Sequence, residues 1–254
     1  MDLIVFSGQS NMQGQTESLP QDNSPVDGAF EYRFADDALV PLQNPVGENL
    51  DVNGKTFNPD FSDIPGALEK SSLLAAWENH TNMVPTFCKS YVSVTGRKVA
   101  AVHAAKGSTT IDYWLKGEPG YEMLVRKTKA AIRSVKPEHI FFVWLQGESD
   151  ALAGTSKECY KEKIVMLNND LKADIGIEKF GVVLVGKFAG DIRDKYISDA
   201  QREVCRENED FLLLTTCTEE MTQNAEYMNP FEYGHFSTRG QELIGEEAGR
   251  ALGI

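Results

Sequence analysis

Short apolar runs alternate with helical patterns along most of this chain, and that alternation limits its fold more than any other feature. Leu3–Phe6 is apolar and stops at Ser7-Gly8, a strand followed by a turn. Lys98–His103, His139–Leu145, Phe180–Val185 and Phe211–Thr215 read as further strands. Between and after them, Pro85–Val94, Tyr121–Ser134, Lys157–Ile175, Asp194–Glu207 and Thr238–Leu252 carry helical patterns. Strands that alternate with helices form a parallel sheet covered on both faces, with right-handed crossovers. Residues 15–65 break the rhythm: they are polar and proline-rich, and read as a long irregular insertion with short strands near Glu31–Phe34 and Leu39–Leu42. With no internal repeat or linker, the 254 residues read as one domain, 1–254, carrying that insertion.

Composition removes several function classes. Lys+Arg number 25 and Asp+Glu 38, giving a net charge of −13. Such a chain is poorly suited to gripping nucleic-acid phosphates or an anionic membrane, so neither is an expected partner. The four cysteines, Cys88, Cys159, Cys205 and Cys217, form no C-x-x-C pair, which excludes cysteine–histidine zinc spacing and a small disulfide scaffold. Free thiols in a reducing compartment are the simplest reading. No apolar run approaches the roughly 18 residues that span a bilayer. The first residues lack a basic leader region and read directly as a buried strand, so the expected location is cytoplasmic, or secreted if a leader has been removed.

In open parallel sheets ligands bind beyond the carboxyl ends of the strands, so the residues following each apolar run carry the functional information. After the first strand comes Ser7-Gly8-Gln9-Ser10-Asn11-Met12-Gln13-Gly14. A serine on a tight strand-to-helix turn exposes its Oγ and frees backbone N–H groups to face a developing oxyanion. The plainer alternative is a polar turn with a capping serine. A phosphate loop does not fit, because no G-x-x-x-x-G-K-[ST] is present. Ala105-Lys106-Gly107-Ser108-Thr109 is a second glycine turn, and Trp144-Leu145-Gln146-Gly147-Glu148-Ser149-Asp150 places an amide and a carboxylate on a third. In Glu232-Tyr233-Gly234-His235, a carboxylate three residues before a histidine can reach its Nδ1 and hold the tautomer a general base needs.

Together these four turns resemble the sequence blocks of the SGNH (GDSL-type) hydrolases. They are most similar to the branch of sialate O-acetylesterases and carbohydrate esterase family 6. That branch carries G-Q-S-N-M, G-G-[ST]-S-I-x-x-W, W-x-Q-G-E-x-D and D-x-x-H in this order; Gly8–Met12 and Trp144–Asp150 match in full. Two positions depart: Ser108 replaces the second glycine of the G-G pair, and Glu232 replaces the aspartate of D-x-x-H. The resemblance implies a flavodoxin-like three-layer α/β/α fold and a serine esterase that removes O-acetyl groups from a carbohydrate, acetylated xylan or O-acetyl sialic acid. It implies Ser10 as nucleophile and His235 as base, with an oxyanion hole formed by the N–H of Ser10, the N–H of Gly107 and the side-chain amide of Gln146. Glu232 and Glu148 compete as the acid that orients His235. Asn11 is expected to tie the nucleophile turn to a neighbouring loop.

No metal or organic cofactor is expected, since serine, histidine and a carboxylate supply the proton transfers and no His/Cys/Asp ligand set clusters in sequence. His103, inside an apolar run, reads as a core histidine, and His80 and His139 have no motif around them. Trp114 and Trp144 read as core more readily than as sugar-stacking surfaces, and Asp112 and Asp150 as solvated or capping carboxylates. Two other classes remain open at this level: a catalytically silent carbohydrate-binding protein of the same fold, and a flavodoxin-like binder of a small molecule or nucleotide.

Overall fold

A computed structural model describes residues 1–56 and 72–254. Among the described residues seven strands form one sheet: β1 (Asp2–Gly8), β2 (Ala29–Arg33), β3 (Ala38–Pro41), β4 (Val99–Ala105), β5 (Ile140–Leu145), β6 (Lys179–Val183) and β7 (Phe211–Thr215), in the order β3-β2-β4-β1-β5-β6-β7. All neighbours are parallel except the edge pair β2/β3. The fold is the expected α/β sandwich with a mostly parallel central sheet.

The two faces of β1 explain the layers. Leu3 and Val5 point to one core and Ile4 and Phe6 to the other, all fully buried. An inner strand of a parallel sheet is covered on both sides, so its sequence is a continuous apolar run rather than an alternating one. On the first face lie α3 (Pro119–Val135), α5 (Lys157–Ile175) and α6 (Ile192–Glu207). On the second lie α2 (Val84–Thr95) and α8 (Thr238–Leu252). The starts of these helices were legible because they use ordinary stop-and-start chemistry. Pro85 and Pro119 sit in first turns, while the side chains of Ser156, Asp191 and Ser237 accept N–H groups of the turns that follow them.

The insertion is less separate than its composition implies. Ala29–Arg33 pairs in parallel with β4 and extends the main sheet, with Ala38–Pro41 as its antiparallel edge. The part of the insertion expected at 57–65 lies outside the described residues. Short helices α1 (Ser10–Gln13), α4 (Glu148–Ala153) and α7 (Thr218–Met221) follow β1, β5 and β7; the first continues the strand-to-helix turn read at Ser10, and the other two escaped the sequence reading. Each has too few residues to display a helical period.

Candidate active site

Register brings the first three turns together. Gly8, the last residue of β1, is paired with Ala105 of β4 on one side and Leu145 of β5 on the other. Ser10, Gly107 and Gln146 therefore all leave the same stretch of the sheet's carboxyl edge. Two further bonds lock the turns: Lys106 N–H donates to Gly8 O (3.1 Å) and Gln9 N–H to Leu145 O (3.2 Å). Gly8 has φ +151°, and a Cβ there would lie 1.9 Å from Leu145 O, so the nucleophile turn can form only on glycine.

Ser10 opens α1, and its Oγ makes no hydrogen bond among the described residues. The N–H groups of Ser10 and Gly107 likewise have no acceptor among them. Ser108 has φ +58°. The second position of the G-G pair is thus the one whose backbone favours glycine, and here a serine occupies it at some steric cost.

Asn11 does more than tie one loop. Its Nδ2 donates to Glu148 Oε1 (2.7 Å) and to Gly234 O (3.2 Å), and its Oδ1 accepts from Phe236 N–H (3.1 Å). Gly234 and Phe236 are the two neighbours of His235. The residue after Ser10 therefore grips the chain on both sides of the histidine. Gln241 of α8 supports this by donating to Asn11 O (2.8 Å).

His235 is partly buried, and burial lowers its pKa from 6.5 while the Glu232 charge opposes that shift. Its Nδ1 is buried without a partner, and no hydrogen bond joins its ring to Ser10 Oγ among the described residues. Of the two competing acids, Glu232 is exposed and meets His235 through its backbone carbonyl, which accepts the backbone N–H of His235 (3.3 Å). Glu148 is buried, and its Oε2 is also without a partner. Burial holds its carboxyl above the ordinary value, against the Asn11 hydrogen bond.

The side chain of Gln146 departs from the sequence expectation. It is fully buried, and its Nε2 faces Asp150 Oδ2 (2.6 Å), Thr109 O (3.0 Å) and Gln9 Oε1 (3.2 Å). An amide has two protons, so these acceptors leave none for an oxyanion. Tyr160 O–H donates to Gln146 Oε1 (2.9 Å), which fixes the orientation of the amide. Gln146 is thus a brace between the second and third turns. Asp150 is part of the same brace and is not solvated: it is buried, and accepts from Ile111 N–H (2.8 Å) and Thr155 O–H (2.9 Å) as well. Asp112, by contrast, is exposed and paired with Lys163.

Gln9 was missed. Its Oε1 receives both Gln146 and the N–H of Ser149 (3.1 Å), and only its place in G-Q-S-N-M marked it. Trp114 and Trp144 are fully buried, which removes them as sugar-stacking surfaces. His103 is a buried core histidine on Met12 O (3.0 Å), its pKa lowered to about 4 by burial. Among the described residues no three His, Cys, Asp or Glu side chains are grouped to hold a metal ion.

Comparison with known proteins bears on the fold and the family. The chain is 28% identical over 102 residues to a probable carbohydrate esterase of Arabidopsis thaliana; that match spans 40% of this chain and 39% of the relative. The solved structure of an Arabidopsis thaliana protein superposes with a TM-score of 0.68 at 17% identity, covering 98% of this chain and 96% of the other. NanS superposes with a TM-score of 0.66 at 13% identity, covering 99% and 96%. A carbohydrate acetylesterase from Xanthomonas citri gives 0.56 at 14% identity, with 99% of this chain matched to 55% of that one. At such identities the superpositions establish the fold. The model of the carbohydrate esterase, sialic acid-specific acetylesterase family matches residues 1–252, and on that match the chain belongs to this family.

Proposed function

We propose that this protein is a serine esterase that removes O-acetyl groups from a carbohydrate, of the acetylated xylan or O-acetyl sialic acid class. The observation that carries the reading is Asn11, which joins the turn bearing an unbonded Ser10 to both neighbours of His235. In this reading His235 takes the Ser10 proton as Oγ attacks the acetyl carbonyl, then gives it to the departing sugar hydroxyl. Water repeats the sequence on the acetyl-enzyme and releases acetate. The N–H groups of Ser10 and Gly107 receive the oxyanion, consistent with their lack of any acceptor among the described residues. The orienting acid is Glu148. Its free Oε2 and the free His235 Nδ1 are both buried, with Asn11 bonded to Glu148 and to the residue before His235. Closing Nδ1–H onto Oε2 would satisfy two orphaned atoms at once.

The test is Ser10→Ala, assayed for acetate release from acetylated xylo-oligosaccharides, O-acetylated N-acetylneuraminic acid and 4-nitrophenyl acetate. We expect a loss of about 10³-fold or more in kcat with the fold retained. Near-normal release by a folded Ser10→Ala protein would remove the assignment.

A further inference from the structure

The segment that carries His235 also carries the two most exposed aromatic rings of the described residues. Phe231 is 81% exposed and Tyr233 is 78% exposed. Single exposed apolar side chains are ordinary, but these two stand on a closed and anchored loop. Asn229 N–H donates to His235 O (2.8 Å), which closes the loop. Asn229 Oδ1 accepts Phe231 N–H (2.9 Å), and its Nδ2 reaches Gln15 O (2.7 Å).

Phe188, on the segment after β6, completes the group. Its ring lies 5.6 Å from that of Tyr233 and 6.3 Å from that of His235. It packs against Gly234, where a Cβ would come within 1.9 Å of the ring. The Phe188 backbone is held in turn by Asp194, whose carboxylate accepts the N–H groups of residues 188, 189 and 190. The rings therefore run from the histidine outward to solvent, on backbone that is pinned in place. Tyr233 and Phe231 contribute little to the core, which leaves their faces for something outside the chain.

Charge narrows what that is. The protein carries −13, and the exposed Glu232 lies between the two aromatic residues in sequence. Arg193, Lys195 and Arg239 are each paired with a carboxylate. Lys187 is the nearby cation in sequence that has no ion pair among the described residues. An anionic sugar would meet net repulsion with a single lysine against it. A neutral pyranose meets none, and it presents an apolar C–H face that suits the face of an aromatic ring.

Resting on the esterase reading above, we propose that Tyr233, packed on Phe188 and with the exposed Phe231 on the same loop, is a stacking platform for a pyranose ring of an uncharged acetylated saccharide. Binding is measured by titration calorimetry in a Ser10→Ala background, which separates recognition from turnover. The probes are a neutral acetylated xylo-oligosaccharide and O-acetylated N-acetylneuraminic acid. The neutral probe binds more tightly, Tyr233→Ala weakens it about tenfold, the effect of losing one good ring contact, and Tyr233→Trp restores it. Lys187→Ala and the remote surface variant Met166→Ala leave its affinity unchanged. Unaltered binding in a folded Phe231→Ala/Tyr233→Ala double variant overturns the proposal. So does a preference for the anionic sugar that Lys187→Ala abolishes, or a dimer in sedimentation that the double variant dissociates. A wild-type protein that releases no acetate, yet binds the neutral probe through Tyr233, would sink the esterase reading while supporting the platform.

Discussion

At the scale of single residues, the site turns on two buried atoms, Glu148 Oε2 and His235 Nδ1, that lack partners among the described residues. A carboxylate on the imidazole stabilises the imidazolium formed in the transition state, so its removal acts on kcat more than on KM. Glu148→Gln should lower kcat by about 10²-fold or more. It should also raise the melting temperature at neutral pH. Burial raises the folded-state pKa of Glu148, so ionising it costs stability as pH rises from its unfolded value through its folded one. Glutamine keeps the acceptor for Asn11 and removes that cost. Equal kcat losses in Glu232→Gln and Glu148→Gln would contradict the choice between them. Glu232 has a separate, electrostatic signature. A base must be neutral, and burial lowers the pKa of His235, so kcat/KM should fall on the acid side with a midpoint below 6.5. The Glu232 charge opposes that lowering, so Glu232→Gln should move the midpoint further down. A pH–rate profile unmoved by this variant would show the two groups to be uncoupled.

At the scale of elements, the β1–α1 turn is the tightest constraint. Gly8 is flanked by β4 and β5, and its missing Cβ leaves room for Leu145 O. Gly8→Ala combines a forbidden backbone angle with a backbone collision. It should cost more than about 2 kcal/mol in urea unfolding and abolish activity together with the turn. A stable, active Gly8→Ala protein would mean that β5 can retreat from β1. The same turn shows why G-Q-S-N-M was readable. Within it Gly8 leaves room for Leu145 O, Ser10 keeps its Oγ free of hydrogen bonds among the described residues, and Asn11 bonds on both sides of His235.

At the scale of the whole molecule, a buried ion pair joins the insertion to the sandwich. Lys127 of α3 donates to Glu48, both nearly inaccessible, and Glu48 also accepts the N–H groups of Phe34 (2.8 Å) and Ala35 (3.0 Å). Lys127 holds the Glu48 carboxyl below the ordinary value despite its burial. Lys127→Ala leaves that carboxylate uncompensated, and should destabilise the protein by about 3–5 kcal/mol. Limited proteolysis should then cut first within residues 34–49. A variant of unchanged stability would show that water replaces the lysine.

The strand–helix alternation, the closing helix Thr238–Leu252 and the turns that carry Ser10, Gly107, Glu148 and His235 are legible in the order of the amino acids. These follow from periodicity and turn chemistry, which act over a few residues at a time. The remaining contacts exist only in the assembled fold. Asn11 meets Glu148 across 137 residues of chain and Gly234 across 223. No local pattern encodes such contacts: strand register brings Glu148 to Asn11, and the docking of α8, with Gln241 on Asn11 O, brings the segment of Gly234. The same holds for Gln146, whose amide looked free in its motif. Burial among Asp150, Thr109 and Gln9 took both its protons. Burial also sealed Trp114 and Trp144 in the core and left Phe231 and Tyr233 outside, although all four are aromatic residues beside a motif. Composition cannot separate those cases, because exposure depends on which layer covers a side chain, and the layers exist only once the sheet is assembled.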